Sequence, residues 1–409
     1  MEPFRVHILG CGSALPTLQH NASAQVVEIR EKLFMIDCGE GTQVQLRRSR
    51  IRFTKISAVF ISHLHGDHCL GLIGMISTFG MLGRTATLHI YAPAQLEDIL
   101  HQQIALFCSG LEYKVEFHAV DTTKNQVIYE DRSLEVVSLP LKHRMPCCGF
   151  LFREKPTRPH IKRDMIDYYQ IPVSQIDNIK AGADWVNADG EVISNSRLTT
   201  PADAPRSYAY CSDTRYIPSL HKLIERVDML YHESTYADDN ADRAKKYAHS
   251  TASQAAQVAR DAHAGKLLLG HYSARYNNEE LLLQEARAVF PESYLSQEGD
   301  VFDVITTPPV LPSRGEGAKD LSQPSQDPTQ PPLVRGGVAT NISSKYLSPL
   351  EGSRRGQMFN QDSYYISSPL EGRLGGVFYP CTPSSSLNSS PDGDGNMEIC
   401  KYGNIISAS

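Results

Sequence analysis

The sequence predicts a layered α/β protein with two mixed sheets and outer helices over residues 1–304. A low-complexity extension over 305–409 follows. Three observations carry this reading. Short runs rich in Val, Ile and Phe, bounded by Gly, Asn and charged residues, cluster early with helical stretches between them. A polar segment, Glu154–Thr200, then interrupts the alternation as an inserted arm, after which β and α runs resume. From Ile305 onward, 41 of 105 residues are Pro, Gly or Ser, including half of the 24 prolines, a composition that predicts disorder.

In chain order, strands are expected at Phe4–Leu9, Gln25–Ile29 and Leu33–Ile36, then a helical stretch over Gly41–Arg50. The apolar run Ala58–Ser62 is a strand that opens into a His-rich loop, and the helix Leu70–Leu82 follows. Further strands are expected near Leu88–Tyr91, Tyr113–Phe117, Val127–Tyr129 and Leu134–Leu139, with a helix near Ala94–Phe107. The strands Cys148–Arg153 and Tyr208–Cys211 bracket the arm. Past it come the strand Met229–Tyr231, the helix Thr251–Ala264, the strand Lys266–Leu269 and the helix Asn278–Val289. The extension carries one repeat, Ser348-Pro-Leu-Glu-Gly352 and Ser368-Pro-Leu-Glu-Gly372, too few copies for a solenoid.

Net charge is −6, so any polyanion partner must be met by local basic patches. Nine cysteines, with no C-x-x-C pair, argue against a disulfide framework or zinc ribbon and for a reducing, cytoplasmic setting. The start lacks a basic region followed by a long apolar stretch, and no run approaches the roughly 18 apolar residues of a membrane span.

The dominant chemical signal is His63-Leu-His-Gly-Asp-His68, directly after the strand Ala58–Ser62. Four potential ligands within six residues of a strand-end loop suit a metal ion, since imidazole and carboxylate are the zinc donor set. One such loop cannot complete two metal sites. His143, Asp213 and His271 each follow an apolar run and are the candidates to complete them. Cys69 beside His68 reads better as a small buried hydrophobe than as a ligand.

The order of these residues resembles the metallo-β-lactamase superfamily of binuclear metal hydrolases. The flanking motifs narrow the resemblance: Leu9-Gly-Cys-Gly-Ser-Ala14, Asp37-Cys-Gly-Glu-Gly-Thr-Gln43, His232-Glu-Ser-Thr235, His249-Ser-Thr251 and His271-Tyr-Ser-Ala-Arg-Tyr276 look like the tRNase Z family of tRNA 3′ endonucleases, over about residues 4–304. The resemblance implies the αββα sandwich and two zinc ions per subunit, although the same donors accept manganese. His63, His65 and His143 would bind one ion, Asp67, His68 and His271 the second, with Asp213 bridging. Two ions ~3.5–4 Å apart can share a hydroxide and clamp an in-line displacement at phosphorus. Asp67 would also act as general base, His249 as the group that protonates the leaving oxygen or stabilises the transition state, and Glu233 as its orienting partner. Asp37 is read either as a residue that fixes a ligand histidine or as a turn carboxylate before Gly39.

The implied reaction is removal of 3′ trailers from precursor tRNA, leaving a tRNA 3′-hydroxyl and a trailer 5′-phosphate. Another binuclear-metal phosphodiesterase or an arylsulfatase-like hydrolase would use the same scaffold, and a catalytically silent tRNA-binding module would not need the full ligand set.

Two basic stretches are the expected RNA contacts. Arg47, Arg48, Arg50, Arg52 and Lys55 lie together without an acid, and Lys155, Arg158, Lys162 and Arg163 stand at the base of the arm. The alternative for the first is a solvated helix end. The family's arm clamps the tRNA elbow from the partner of a homodimer, so the resemblance also implies a dimer. This arm departs from the pattern: its distal part, Asp164–Thr200, has six acidic and two basic residues, and Ile171-Pro-Val-Ser stands near where relatives have Gly-Pro. Pro16-Thr-Leu-Gln-His-Asn21 keeps only Pro16 and Asn21 of a Pro-x-Lys-x-Arg-Asn loop linked to rejecting CCA-bearing tRNA.

Overall fold

A computed structural model describes residues 2–307. The expected disorder of the extension and its Ser348/Ser368 repeat lie outside the described residues, as do Cys381 and Cys400.

Two seven-stranded sheets face each other. The first runs, edge to edge, Val301–Asp303, Phe4–Gly10, Ala24–Ile29, Lys32–Ile36, Ile56–Phe60, Leu88–Pro93 and Val115–Val120. The second runs Ser293–Leu295, Leu267–Gly270, Met229–Glu233, Ser207–Cys211, Cys148–Glu154, Leu134–Pro140 and Val127–Glu130. Both are mixed. Each has an antiparallel part made of hairpins and a parallel part made of crossovers through helices.

Alternation along the strands explains the layering. Phe34, Ile36, Ala58 and Phe60 join the core between the sheets. Their neighbours Met35, Val59 and Ile61 face outward onto Leu46, Leu72, Met75, Ile76 and Phe79 of the outer helices Thr42–Arg48 and Leu72–Met81. A strand covered on both faces reads as a continuous apolar run, as Ala58–Phe60 and the following Ile61 do. On the other sheet, the helix Ala252–Asp261 packs a face of Ala252, Ala255, Ala256 and Ala259 against the core. Thr251 caps that helix: its side chain accepts from Gln254 N–H, and the Gln254 side chain accepts from Thr251 N–H.

The arm leaves after Glu154 and returns at Arg206, where the Glu154 carboxylate takes two guanidinium N–H bonds of 2.9 Å in a buried pair. Between them lies a small lobe with its own core of Ile171, Ile179, Ile193 and Leu198. The strand Cys148–Glu154 starts beside the His-rich loop, where Cys148 N–H donates to Ser62 O at 3.1 Å. Seven residues at about 3.3 Å each put the arm's root roughly 20 Å from that end.

Candidate metal centre and its surroundings

The residues of the His-rich stretch hang on one strand end. His63 follows Ile56–Phe60 by three residues, and the expected loop contains a short helix, Gly66–Cys69, that carries Asp67 and His68. The Asp37-Cys-Gly motif holds this helix from below. Cys38 N–H donates to His68 O at 2.8 Å and Gly71 N–H to Cys38 O at 2.9 Å. A Cβ on Gly71 would fall 2.1 Å from Gly39 O, and one on Gly39 2.3 Å from Asp67 O, so both glycines are required for this approach.

The other candidates arrive from neighbouring strand ends of the second sheet. His143 lies past Leu134–Pro140, Asp213 past Ser207–Cys211 and His271 past Leu267–Gly270. Besides a grouping of His249 with Asp213 and His271, the sequence candidates form two groups of ligand-type atoms, each lying within 4.8 Å of one another: His63, His65, His143 and Asp213 in one, Asp67, His68 and His271 in the other. Asp213 stands between them. Its Oδ2 is 3.6 Å from His63 Nε2 and 3.7 Å from His143 Nε2, while its Oδ1 is 3.1 Å from His271 Nε2 and 3.5 Å from His68 Nε2.

This donor set fits a cation. His63, His68, His143 and His271 each have the outer nitrogen engaged, which sets the tautomer and turns the other nitrogen inward. His63 Nδ1 meets Ser62 Oγ at 3.0 Å, His143 Nδ1 donates to Ala248 O at 2.9 Å, His271 Nδ1 meets Thr235 Oγ1 at 2.9 Å and His68 Nδ1 donates to Asp37 Oδ2 at 2.7 Å. The inward nitrogens then face one another: His63 Nε2 and His65 Nδ1 at 3.0 Å, His68 Nε2 and His271 Nε2 at 3.3 Å. Asp213 Oδ1 is buried without a hydrogen-bond donor among the described residues. Burial is the main force pushing His63, His65 and His143 below the ordinary imidazole range, so they are neutral and offer lone pairs. Burial would raise the carboxyls of Asp67 and Asp213, but the surrounding histidines outweigh it and hold both ionised. His68 alone moves upward: Asp213 and Asp37 outweigh its burial, so its Nε2 proton stands where a cation would screen the same carboxylates.

Asp37 proves to be more than a turn carboxylate. Besides His68 it accepts from Ser62 N–H at 2.8 Å and from Tyr210 O–H at 2.8 Å, all in full burial. Cys69 is half-buried and donates to His65 O at 3.3 Å, away from the ligand groups.

His249 stands in the same cleft, between His143 and His271, with ring centroids 5.1 and 5.4 Å away. Its Nδ1 donates to Glu233 Oε1 at 2.9 Å. Burial opposes its charge, but Glu233 outweighs burial and pushes the pKa up to about 9, so His249 carries its proton at neutral pH. Glu233 is itself fixed by Thr214, Thr235 and Ser250 N–H groups. The Thr251 cap then orients the segment that presents His249.

Ser13, Ala14 and Pro16, leading into the Pro16–Asn21 loop, form a wall of the cleft, and Ala14 N–H donates to Asp67 Oδ2 at 2.8 Å. His20 anchors it, with Nδ1 3.0 Å from Glu298 Oε2 and Nε2 3.2 Å from Glu279 Oε1. The hydrogen bond to Glu298 raises the His20 pKa against its burial. A raised folded-state pKa contributes stability that is complete below the ordinary value near 6.5 and disappears as pH climbs through the folded value. We therefore expect His20→Ala to lower stability by roughly 1–3 kcal/mol near pH 6 and by less near pH 9. Thermal unfolding of both proteins at the two pH values checks this, and an equal loss at both would refute the charged clamp.

The expected RNA contacts are placed elsewhere. Arg50, Arg52 and Lys55 line a cavity with Glu2, Glu28 and Glu31, at the start of the strand whose other end delivers His63. Arg47 stacks over Phe53 at 5.2 Å. Arg48 ends the helix Thr42–Arg48. At the arm's base, Lys155 pairs with Glu130 at 2.6 Å and Lys162 donates to Arg197 O at 2.9 Å, while Arg158 and Arg163 are exposed. The cations beside the cleft are different ones: Arg144 lines it, and Lys142 and Arg215 lie on the adjoining loops. Their signal was present in the sequence, because Lys142 and Arg144 flank His143 and Arg215 follows Asp213 by two positions.

Comparison with known proteins places this architecture. A family model described as anti-Pycsar protein Apyc1 matches residues 4–158. A ribonuclease Z of Bacteroides fragilis is 56% identical over 298 residues, covering 73% of this chain and 98% of the relative. A ribonuclease Z of Porphyromonas gingivalis is 48% identical over the same length, covering 73% and 98%. Among solved structures, human tRNase Z, short form, superposes with a TM-score of 0.53 at 25% identity, covering 74% of this chain and 99% of that one. The metallo-β-lactamase fold protein YhfI of Bacillus subtilis, at 20% identity and a TM-score of 0.52 over 74% and 100%, shares the fold. Two mixed sheets between outer helices, with a His/Asp cluster at the strand ends, define a protein of the metallo-β-lactamase fold. Within that class the chain belongs to the ribonuclease Z family and is an endoribonuclease.

Proposed function

We propose that this protein is a zinc-dependent endoribonuclease that removes 3′ trailers from precursor tRNA. The observation that carries the reading is His249, held by Glu233 at 2.9 Å, in the same cleft as the two facing ligand groups. The names of the similar proteins, ribonuclease Z and tRNase Z, supply the substrate class.

In this reading His63, His65 and His143 hold one ion, Asp67, His68 and His271 the other, and Asp213 faces both. When bound, the ions supply positive charge for the phosphate oxygens and the attacking water. The chain's own groups do the rest. Asp67, ionised and steadied by Ala14 N–H, orients the water and takes its proton. His249 keeps Nδ1–H on Glu233 and delivers the Nε2 proton to the departing 3′-oxygen, leaving a 3′-hydroxyl on the tRNA and a 5′-phosphate on the trailer.

A homodimer belongs to the same proposal. The arm is rooted at the end of the sandwich remote from the cleft, which suits an arm that serves the partner's site. Cytoplasmic residence fits the seven described cysteines, all of them free, and no described helix is long and apolar enough to cross a membrane. We take residues 1–304 as the hydrolase unit and leave 305–409 outside it.

The test is incubation of the full chain and zinc with a 3′-extended precursor tRNA. A single cut next to the discriminator base is expected. Hydrolysis of bis(p-nitrophenyl) phosphate without any tRNA cut would favour a different phosphodiesterase or sulfatase.

A further inference from the structure

Beside the cleft runs a groove of about 920 Å³, and Arg144 lines both. Three more cations, Lys142, Arg215 and Lys222, line the groove, and no carboxylate does. All four side chains are exposed, and none forms an ion pair with a carboxylate among the described residues. On a chain of net charge −6 such a concentration of unpaired positive charge is local and specific. The frame beneath it is rigid. Arg215 N–H donates to Lys142 O at 2.9 Å, and Lys142 N–H donates to Thr214 Oγ1 at 3.0 Å, which ties the two loops together. Arg144 lies over the Tyr247 ring at 5.6 Å, two residues before His249. The floor is apolar, with Leu141, Ile217 and Leu220 buried beneath the charges.

We propose that this groove holds the phosphate backbone of the RNA strand on the 5′ side of the cut. The assignment rests on the endoribonuclease reading above and adds where that strand lies. Its direction follows from the chemistry of displacement at phosphorus. In an in-line reaction the attacking water and the departing oxygen stand on opposite sides of the phosphorus. Asp67, which orients the water, belongs to the wall formed by Ala14 and Pro16. His249, which protonates the departing 3′-oxygen, neighbours His143 and the Arg144–Tyr247 pair. The nucleotide that owns the 3′-oxygen therefore leaves the cleft past Arg144, and the groove with its cations begins there. Phosphates spaced along that strand meet fixed positive charges in succession, a contact that depends on salt and not on base sequence.

The experiment compares the zinc-loaded full chain with the triple variant Lys142→Gln, Arg215→Gln, Lys222→Gln. Substrates are precursor tRNA with a long trailer, the same tRNA with a one-nucleotide trailer, and bis(p-nitrophenyl) phosphate. The expected result is a loss in kcat/KM of about tenfold or more, mostly in KM and equal for both trailer lengths. The slope of log KM against log salt should fall by about two, at roughly 0.7–0.9 per lost phosphate contact. Unchanged zinc content and thermal midpoint serve as the folding controls, and bis(p-nitrophenyl) phosphate, too short to reach the groove, should be cleaved as before. A loss that grows with trailer length would put the trailer in the groove and overturn the assignment, as would an unchanged KM and salt slope. If the parent protein cleaves no RNA, the endoribonuclease reading falls, and this assignment falls with it.

Discussion

Asp213→Ala is expected to strip the protein of bound metal and abolish RNA cleavage. The two oxygens of this carboxylate divide their contacts, Oδ2 towards His63 and His143 and Oδ1 towards His68 and His271. Removing it takes one negative donor from both groups at once. What remains around the gap is an array of imidazoles with Asp67 among them and Asp37 behind His68. Breaking a buried charge cluster on one side costs about 3–5 kcal/mol, and here that penalty falls on metal affinity as well as on the local fold. Metal analysis and circular dichroism on the purified variant check the prediction. A folded variant that keeps both ions and cleaves RNA would remove Asp213 from the ligand set.

His249→Ala is expected to do the opposite to the metal. Its content should stay at the parental level while turnover falls by about 10²–10⁴, the usual contribution of a positioned acid. The side chain lies within 4.8 Å of Asp213 and His271, but its Nδ1 is committed to Glu233 at 2.9 Å, which sets it apart from the histidine and aspartate ligands proposed around it. Glu233→Gln should reproduce part of the loss, because it takes away the charge that raises the His249 pKa to about 9. The acidic form of His249 is the active one, so the parental rate should decline as pH rises through the folded pKa, and in the Gln variant the decline should begin at lower pH. Loss of metal from His249→Ala would instead make it a ligand.

Much of the centre was legible because its information is local. His63, His65, Asp67 and His68 lie within six residues, and a strand end turns that spacing into a cluster whatever the rest of the chain does. His143, Asp213 and His271 could be picked out for the same reason, since each follows an apolar run that had to be a strand. Most strands of the two sheets were read to within a few residues, as alternating Phe34, Met35 and Ile36 separate cleanly onto two faces, but the three-residue edge strands Ser293–Leu295 and Val301–Asp303 were too short to show a period. The dual reading of Asp37 needed the fold, because only there does its carboxylate meet Ser62 at a strand end, His68 on the short helix and Tyr210 on a strand of the other sheet.

Surface charge was the harder matter. Arg47–Lys55 immediately precedes the strand that carries the metal loop, and proximity in sequence made it the natural RNA patch. Five strand residues move it to the opposite end of the sheet, beside Glu2, Glu28 and Glu31. Lys142, Arg144, Arg215 and Lys222 are scattered over eighty residues and become one groove only when neighbouring strand ends bring their loops together. By itself, the sequence determined which residues could bind metal and which strands would carry them, because donor type and hydrophobic period are properties of short segments. The tertiary structure decided which of the charges form one surface beside the cleft and which lie at the far end of the sheet, because a strand carries its two ends some 16 Å apart, beyond the Debye length at physiological salt.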